Sequence, residues 1–350
     1  MYKATHGGDI YSKPCRIDFS ANMNPLGMPP AVYEAACRGV RESVNYPDIL
    51  CRDLVRRLGK VEEIDPDQIV CGNGAADLIF SLTRALKPKK ALLVAPGFAE
   101  YEQALQAGGC QEMLFYTCLE EKGFHMQPDY TDLLQEEIDM VFLCNPSNPT
   151  GITIDPEILQ ATADLCEKHD IWLVVDECFN PFLEDSKGSS LKHLLKTHPH
   201  LIILKAFTKL YAMAGLRLGY VLTENPELPV RLRSVMQPWS VSLPAMRAGE
   251  AALEEEDYVR ETMALIRAER TWLRGELQKL GLKVYDSRAN YLFFRGPEGL
   301  SQACEAQGIL IRDCSNYRGL EQGYYRVSVR TREENEVLIG TLQAVLSIRA

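Results

Sequence analysis

From Gln68 to Leu222 the chain repeats one pattern, a short apolar run followed by an amphipathic stretch of helical length. "QIVCG" leads into "AADLIFSLTRAL", "ALLVAP" into "FAEYEQALQAGG", and "MVFLCNP" into "DPEILQATADLCEKHD"; "IWLVVDE", "LIILKAF" and "LRLGYVL" follow. Runs with no polar alternation are strands covered on both faces, and helices between them make neighbouring strands parallel. The pattern predicts an α/β fold, a mostly parallel central sheet with helices on both faces. Function in such folds sits at the carboxyl ends of the strands.

After Pro244 the texture changes. A long charged helix, roughly Glu255 to Leu280, precedes "KVYDS", "NYLFFR", "ILIRDC" and "YYRVSVR", and the chain ends on a helix. This reads as a smaller α+β region, on which the first 40 or so residues, lacking a strand–helix unit, are expected to dock. With 350 residues there is chain enough for one large core and a lesser one. The expected division is a large domain over 40–243 and a small one from 1–39 with 244–350.

A net charge of −10 argues against nucleic acid or an anionic membrane as main partner. Eleven scattered cysteines without a C-x-x-C pair read as reduced thiols, and six histidines without ligand spacing give no metal site. No run approaches the roughly 20 apolar residues of a membrane helix. A soluble, cytoplasmic protein is expected.

The strand ends carry the chemistry. "CGNGAAD" (71–77) is a strand, a glycine turn and a helix start, whose free N–H groups suit a phosphate. "CNPSNPTG" (144–151) is a proline-stiffened loop presenting Asn145 and Asn148, and "VVDEC" (174–178) delivers Asp176 off an apolar strand. "KAFTKLYAMAGLRLGYV" sets Lys209 and Arg217 in the seam between two strands. Taken singly the first three are a turn, a connection and a helix cap. Together they meet the demands of pyridoxal phosphate: an imine-forming lysine, an acidic partner for the ring nitrogen, and a cationic phosphate site.

The order G-N-G, N-P-T-G, D-E, T-K, G-L-R-L-G-Y resembles the fold type I aminotransferase superfamily, class I/II, over nearly the whole chain. That resemblance implies a seven-stranded central sheet and pyridoxal 5′-phosphate bound to Lys209, with Asp176 on the ring nitrogen and Asn148 on the ring hydroxyl. It implies Thr208, Arg217 and the backbone of Gly74, Ala75 and Ala76 on the phosphate, and Phe98 stacked on the ring. Tyr46 resembles the tyrosine that reaches a neighbouring subunit's phosphate, which implies a homodimer. Arg326 resembles the arginine that grips the substrate α-carboxylate.

Two positions depart from the superfamily pattern. Ala206 stands where a serine or threonine is common, removing a phosphate contact, and Phe179 stands where many aminotransferases place a tyrosine on the ring hydroxyl.

"HGG" (6–8), "DFSANMNPLGMP" (18–29), "QPWSVS" (237–242), "RANYL" (288–292), "LIRDCSNYRGL" (310–320) and "YYRVSVR" (324–330) together resemble the threonine-phosphate decarboxylase family of cobalamin biosynthesis, which carries phenylalanine at the Phe179 position. This implies a phosphorylated amino acid as substrate, held by His6, Gly7, Asn22, Asn148, Arg312 and Arg326. Decarboxylation of L-threonine O-3-phosphate is the implied reaction. The alternatives are a histidinol-phosphate aminotransferase, a decarboxylase preferring serine phosphate, and a cofactor-binding regulatory module; the last needs a DNA-binding domain ahead of the core. His6, so near the start, has the alternative of being a frayed terminal residue.

Overall fold

The computed structural model describes residues 6–135 and 137–347. After a two-residue strand, β1 (Ile17–Asp18), seven strands build the central sheet: β2 (Ile69–Gly72), β3 (Lys90–Ala95), β4 (Glu112–Thr117), β5 (Met140–Cys144), β6 (Trp172–Asp176), β7 (Leu201–Ala206) and β8 (Gly219–Leu222). Their order is β2-β8-β7-β6-β5-β3-β4. All neighbours run parallel except those of β8, which is antiparallel to both β2 and β7.

Alternation within each strand divides the core between the two faces of the sheet. Val141, Leu143, Leu173, Val175, Leu201 and Ile203 pack into one apolar layer, while Met140, Phe142, Val174, Ile202 and Leu204 pack into the other. Helices Gly74–Leu86 and Ala99–Ala107 supply the second layer with Leu78, Ile79, Leu82, Tyr101 and Ala104. Helix Pro156–Lys168 covers the first, started by Pro156 and by the Asp155 carboxylate accepting from the Glu157 N–H at 2.8 Å. Strand β4, which the sequence reading passed over, is an edge strand, pairing only with β3 and half-buried along its centre.

The second sheet is antiparallel. It comprises β9 (Lys283–Val284), β10 (Tyr291–Arg295), β12 (Arg312–Asp313) and β13 (Tyr324–Ser328) in the order β12-β13-β10-β9. The run "ILIRDC" is divided: β11 (Ile309–Leu310) pairs in parallel with β1, and Arg312–Asp313 turns to the other sheet. The N-terminal segment therefore docks on the C-terminal region. Helices Glu256–Lys279 and Arg332–Ser347 enclose this sheet, with Ile266, Leu273, Leu338 and Leu342 against Phe294 and Tyr325.

Helix Pro30–Glu42 lies on helix Leu243–Ala252 so closely that a Cβ at Gly39 would stand 2.6 Å from Pro244 backbone atoms. Strand order reverses between β3 and β5, and the crevice outside their carboxyl ends is where α/β sheets hold ligands. Because β8 is antiparallel, its beginning reaches that same rim, so Arg217 precedes a strand where the other rim residues follow one.

Candidate active site

Each rim residue is placed by the strand behind it. Asp176 ends β6 in register with Cys144 of β5 and Leu204 of β7. By alternation it shares the face of Val174, the face against helix Ala99–Ala107. There the Tyr101 hydroxyl donates to Asp176 Oδ2 at 2.6 Å and the Cys178 N–H donates to Oδ1 at 2.9 Å. Burial pushes the Asp176 carboxyl up, against those hydrogen bonds. No cation among the described residues lies within ion-pair distance of it, so this buried acid is poised for a cationic ligand group.

Lys209 follows β7 in a turn whose backbone is tied to the N-terminal segment by the Asn24 N–H donating to the Lys209 carbonyl at 3.2 Å. Burial, reinforced by the charges of Arg326 and Arg217, pulls its ammonium down to about 8. A lysine held there is partly neutral near physiological pH and able to attack a carbonyl carbon.

Gly74 opens its helix at φ +83°, and a Cβ there would come within 2.4 Å of Arg217 Nη2. The guanidinium therefore lies against the helix start. Gly219 is required beside it, since a Cβ would meet the Ala75 nitrogen at 2.7 Å. An anion is favoured at such a junction by the free N–H groups, the helix dipole and the arginine together.

The small sheet supplies the opposing wall. Arg326 of β13 is buried, donating from Nη1 to Asn148 Oδ1 and from Nη2 to the Ser20 carbonyl at 3.0 Å. The Tyr317 hydroxyl reaches the same Asn148 oxygen at 3.3 Å. Gly7 lies so close to Ser20 that a Cβ would fall 2.2 Å from its carbonyl oxygen, and the Gly8 N–H donates to Ser20 Oγ at 2.7 Å. These contacts seat the N-terminal segment over the site.

A cavity of about 310 Å³ joins these pieces. Of the residues expected from the sequence, His6, Gly7, Asn22, Ala75, Ala76, Phe98, Asn148, Asp176, Thr208, Lys209, Arg217, Arg312 and Arg326 line it, as do Ala206 and Phe179. Gly74 lies behind Arg217. Tyr46, expected to reach a neighbouring subunit's phosphate, lies outside this cavity: the residue is 79% exposed and its ring stacks on Trp239 at 4.7 Å. Sequence reasoning passed over Tyr101, Glu100, Ser20, Tyr317, Cys144 and Cys178, which also line the cavity. Tyr101 sits in the first turn of the helix that Phe98 precedes, and the two rings meet edge-on at 5.5 Å.

Three buried atoms on these walls, Asn22 Oδ1, Glu100 Oε2 and Arg326 Nε, have no hydrogen-bond partner in the structure. Such atoms in a polar cavity await a ligand or water. An amine of lowered basicity, an acid lacking its cation and an anion cradle are the donor set pyridoxal 5′-phosphate requires, and they fit it.

Comparison with known proteins agrees. The family model described as aminotransferase class I and II matches residues 16–342. A threonine-phosphate decarboxylase from Salmonella typhimurium is 37% identical over 99% of this chain and 98% of its own. A histidinol-phosphate aminotransferase from Methanothermobacter thermautotrophicus is 31% identical, covering 93% of this chain and 88% of its own. The crystal structure of the histidinol-phosphate aminotransferase from Clostridium acetobutylicum superposes with a TM-score of 0.88 at 29% identity, over 94% of this chain and 98% of that one.

Proposed function

The chain belongs to the aminotransferase class I and II family, and from that premise we propose that it is a pyridoxal-phosphate-dependent decarboxylase. It converts L-threonine O-3-phosphate to (R)-1-aminopropan-2-yl phosphate and carbon dioxide, a step of cobalamin biosynthesis. The observation that carries this reading is one cavity holding a weakly basic lysine with two separate cationic sets, Arg217 on the large sheet's rim and Arg312 and Arg326 on the small sheet. One set serves the cofactor phosphate; the other serves a substrate that is itself doubly anionic. The higher identity to a threonine-phosphate decarboxylase than to a histidinol-phosphate aminotransferase supports the choice of reaction.

In this reading Lys209 holds the cofactor, Asp176 pairs with its ring nitrogen, and Asn148 contacts the ring hydroxyl. Thr208, Arg217 and the backbone of Gly74, Ala75 and Ala76 hold its phosphate, and Phe98 covers the ring. When bound, the cofactor supplies an electron sink for the bond that breaks at the substrate's Cα. Asp176 would hold a proton at the ring nitrogen of the bound cofactor, the cationic partner that its buried carboxylate lacks among the described residues. Arg326 and Asn148 orient the α-carboxylate, whose bond to Cα breaks with its electron pair left toward Cα as carbon dioxide departs. Lys209, with an amine near neutral balance, delivers the proton that Cα then takes up. His6, Gly7, Asn22 and Arg312 receive the phosphorylated side chain. Phe179 offers no hydroxyl; its ring packs edge-on to Tyr291 at 5.1 Å, leaving the ring hydroxyl one donor fewer than a tyrosine would give.

A homodimer is part of the proposal. Tyr46, Trp239, Val44 and Ile49 are exposed, a grouping of apolar side chains that a second copy would cover. The division into 40–243 and 1–39 with 244–350 is proposed as well, supported by the β1–β11 pairing, with helices Pro30–Glu42 and Leu243–Ala252 as the joint. No helix among the described residues is long and apolar enough to cross a membrane, and eleven free cysteines support a cytoplasmic location.

The deciding experiment offers threonine phosphate, serine phosphate and histidinol phosphate side by side. Carbon dioxide release from threonine phosphate without 2-oxoglutarate is expected. Glutamate formation from histidinol phosphate and 2-oxoglutarate, with no gas from any substrate, would replace this reading by the aminotransferase one.

A further inference from the structure

We propose that Glu100 is a positioning residue for the substrate phosphate, turning the Nε2–H of His6 toward its own carboxylate so that the imidazole meets the phosphate as a cation donating from Nδ1. This deepens the decarboxylase reading and rests on it. His6 Nε2 lies 2.9 Å from Glu100 Oε1. Glu100 is 8% exposed, in the first turn of helix Ala99–Ala107, and its other oxygen is buried without a partner. His6 and Glu100 both line the Lys209 cavity and also an adjoining one of about 400 Å³, so the pair stands where the two meet.

A carboxylate beside a phosphate site is repulsive unless a cation covers it, and His6 is that cover. The tautomer decides what His6 can do. A neutral imidazole donating from Nε2 presents a lone pair at Nδ1, which repels phosphate oxygens; only the imidazolium donates from both nitrogens. A carboxylate partner favours the imidazolium. Glu100 and Arg312 of β12 act on His6 directly; Glu102, Tyr317 and Arg318 share the adjoining cavity with it, and Asp176, Lys209, Arg217 and Arg326 the Lys209 cavity. The hydrogen bond to Glu100 pushes the imidazole up, overcoming burial and the Arg312 charge, which both pull it down. The cationic form therefore persists to higher pH with Glu100 than without it.

The test is a double-mutant cycle on the holoenzyme, reading KM and kcat for threonine phosphate from about pH 6 to about pH 9. Glu100→Gln keeps the side-chain shape and removes the charge. It is expected to raise KM roughly tenfold at the alkaline end and to approach the parent as pH falls, with kcat and cofactor absorbance little changed. Substrate ionisation is common to both enzymes, so the difference between the profiles belongs to the protein. In a His6→Gln background the same change should add nothing. An equal KM increase with and without His6, or a KM profile parallel to the parent at every pH, overturns the proposal. A normal KM for His6→Gln overturns it too while leaving the decarboxylase reading intact. Absence of carbon dioxide from the parent enzyme overturns both.

Discussion

The Tyr101 hydroxyl donates to Asp176 Oδ2 at 2.6 Å across the gap between helix Ala99–Ala107 and the end of β6, and the Tyr101 ring stacks on Phe142 at 4.9 Å. One fixed aromatic thus sets the direction of the carboxylate that, in the proposed reading, pairs with the cofactor's ring nitrogen. Tyr101→Phe retains the stacking and loses the hydrogen bond that opposes the upward push of burial on Asp176. A fall in kcat of roughly tenfold is expected, with KM little altered, since a buried hydrogen bond to a charged group contributes about 1.5–3 kcal/mol. Steady-state decarboxylation measures it.

In the proposed reading Lys209 carries the covalent link to the cofactor. Borohydride reduction of the holoenzyme followed by peptide mapping should label this residue, and Lys209→Ala should take no label. With its ammonium pulled down to about 8, the amine loses its proton as pH rises through that value. Capture of added pyridoxal phosphate by the apoenzyme is therefore expected to accelerate from pH 7 to pH 9, followed by absorbance. A flat rate over that range would contradict the lowered basicity.

Gly74 is required by its φ of +83° and by the Arg217 guanidinium lying against it. Gly74→Ala adds a methyl that drives the arginine off the helix start and strains the backbone by about 1 kcal/mol or more. Cofactor affinity should fall by about tenfold or more, by titration of the apoenzyme, while the far-ultraviolet circular dichroism stays that of the parent.

Glu120, just beyond β4, fastens the two sheets. It accepts from Lys283 Nζ at 2.7 Å, Tyr285 Oη at 2.5 Å, Arg295 Nη1 at 2.9 Å and Tyr324 Oη at 2.7 Å, all from the antiparallel sheet or its margin. The hydrogen bonds from Lys283 and Tyr285 lead in drawing its carboxyl down to about 2. A depressed acid stabilises the folded state above its unfolded value of about 4.3 and loses that contribution as pH falls toward 2. Glu120→Gln should lower the melting temperature at neutral pH, and the gap from the parent should shrink progressively below about pH 4. An undiminished gap in acid would mean the carboxylate charge is not what fastens the sheets.

Sequence pattern alone determined the architecture because burial on both faces of a sheet leaves a mark that survives without coordinates. Runs such as Leu201–Leu204 and Leu173–Val175 have no polar alternation, so the α/β order and the rim positions of Asp176, Asn148 and Lys209 followed from where those runs stop. Motif resemblance added the roles. Strand β4 was passed over although Met113–Tyr116 is an apolar run, and only the structure shows it as an edge strand half in water.

What only the tertiary structure decided are meetings between residues far apart in the chain. Ser20 with Arg326, Tyr317 with Asn148, His6 with Glu100 and Tyr101 with Asp176 depend on the β1–β11 pairing and the strand order, and no local periodicity encodes a distance between such positions. The basicity of Lys209 belongs to the same class. It is set by enclosure and by Arg326 and Arg217, 117 and 8 positions onward in the numbering, because the electric field at an amine depends on distance in space and on the water excluded around it.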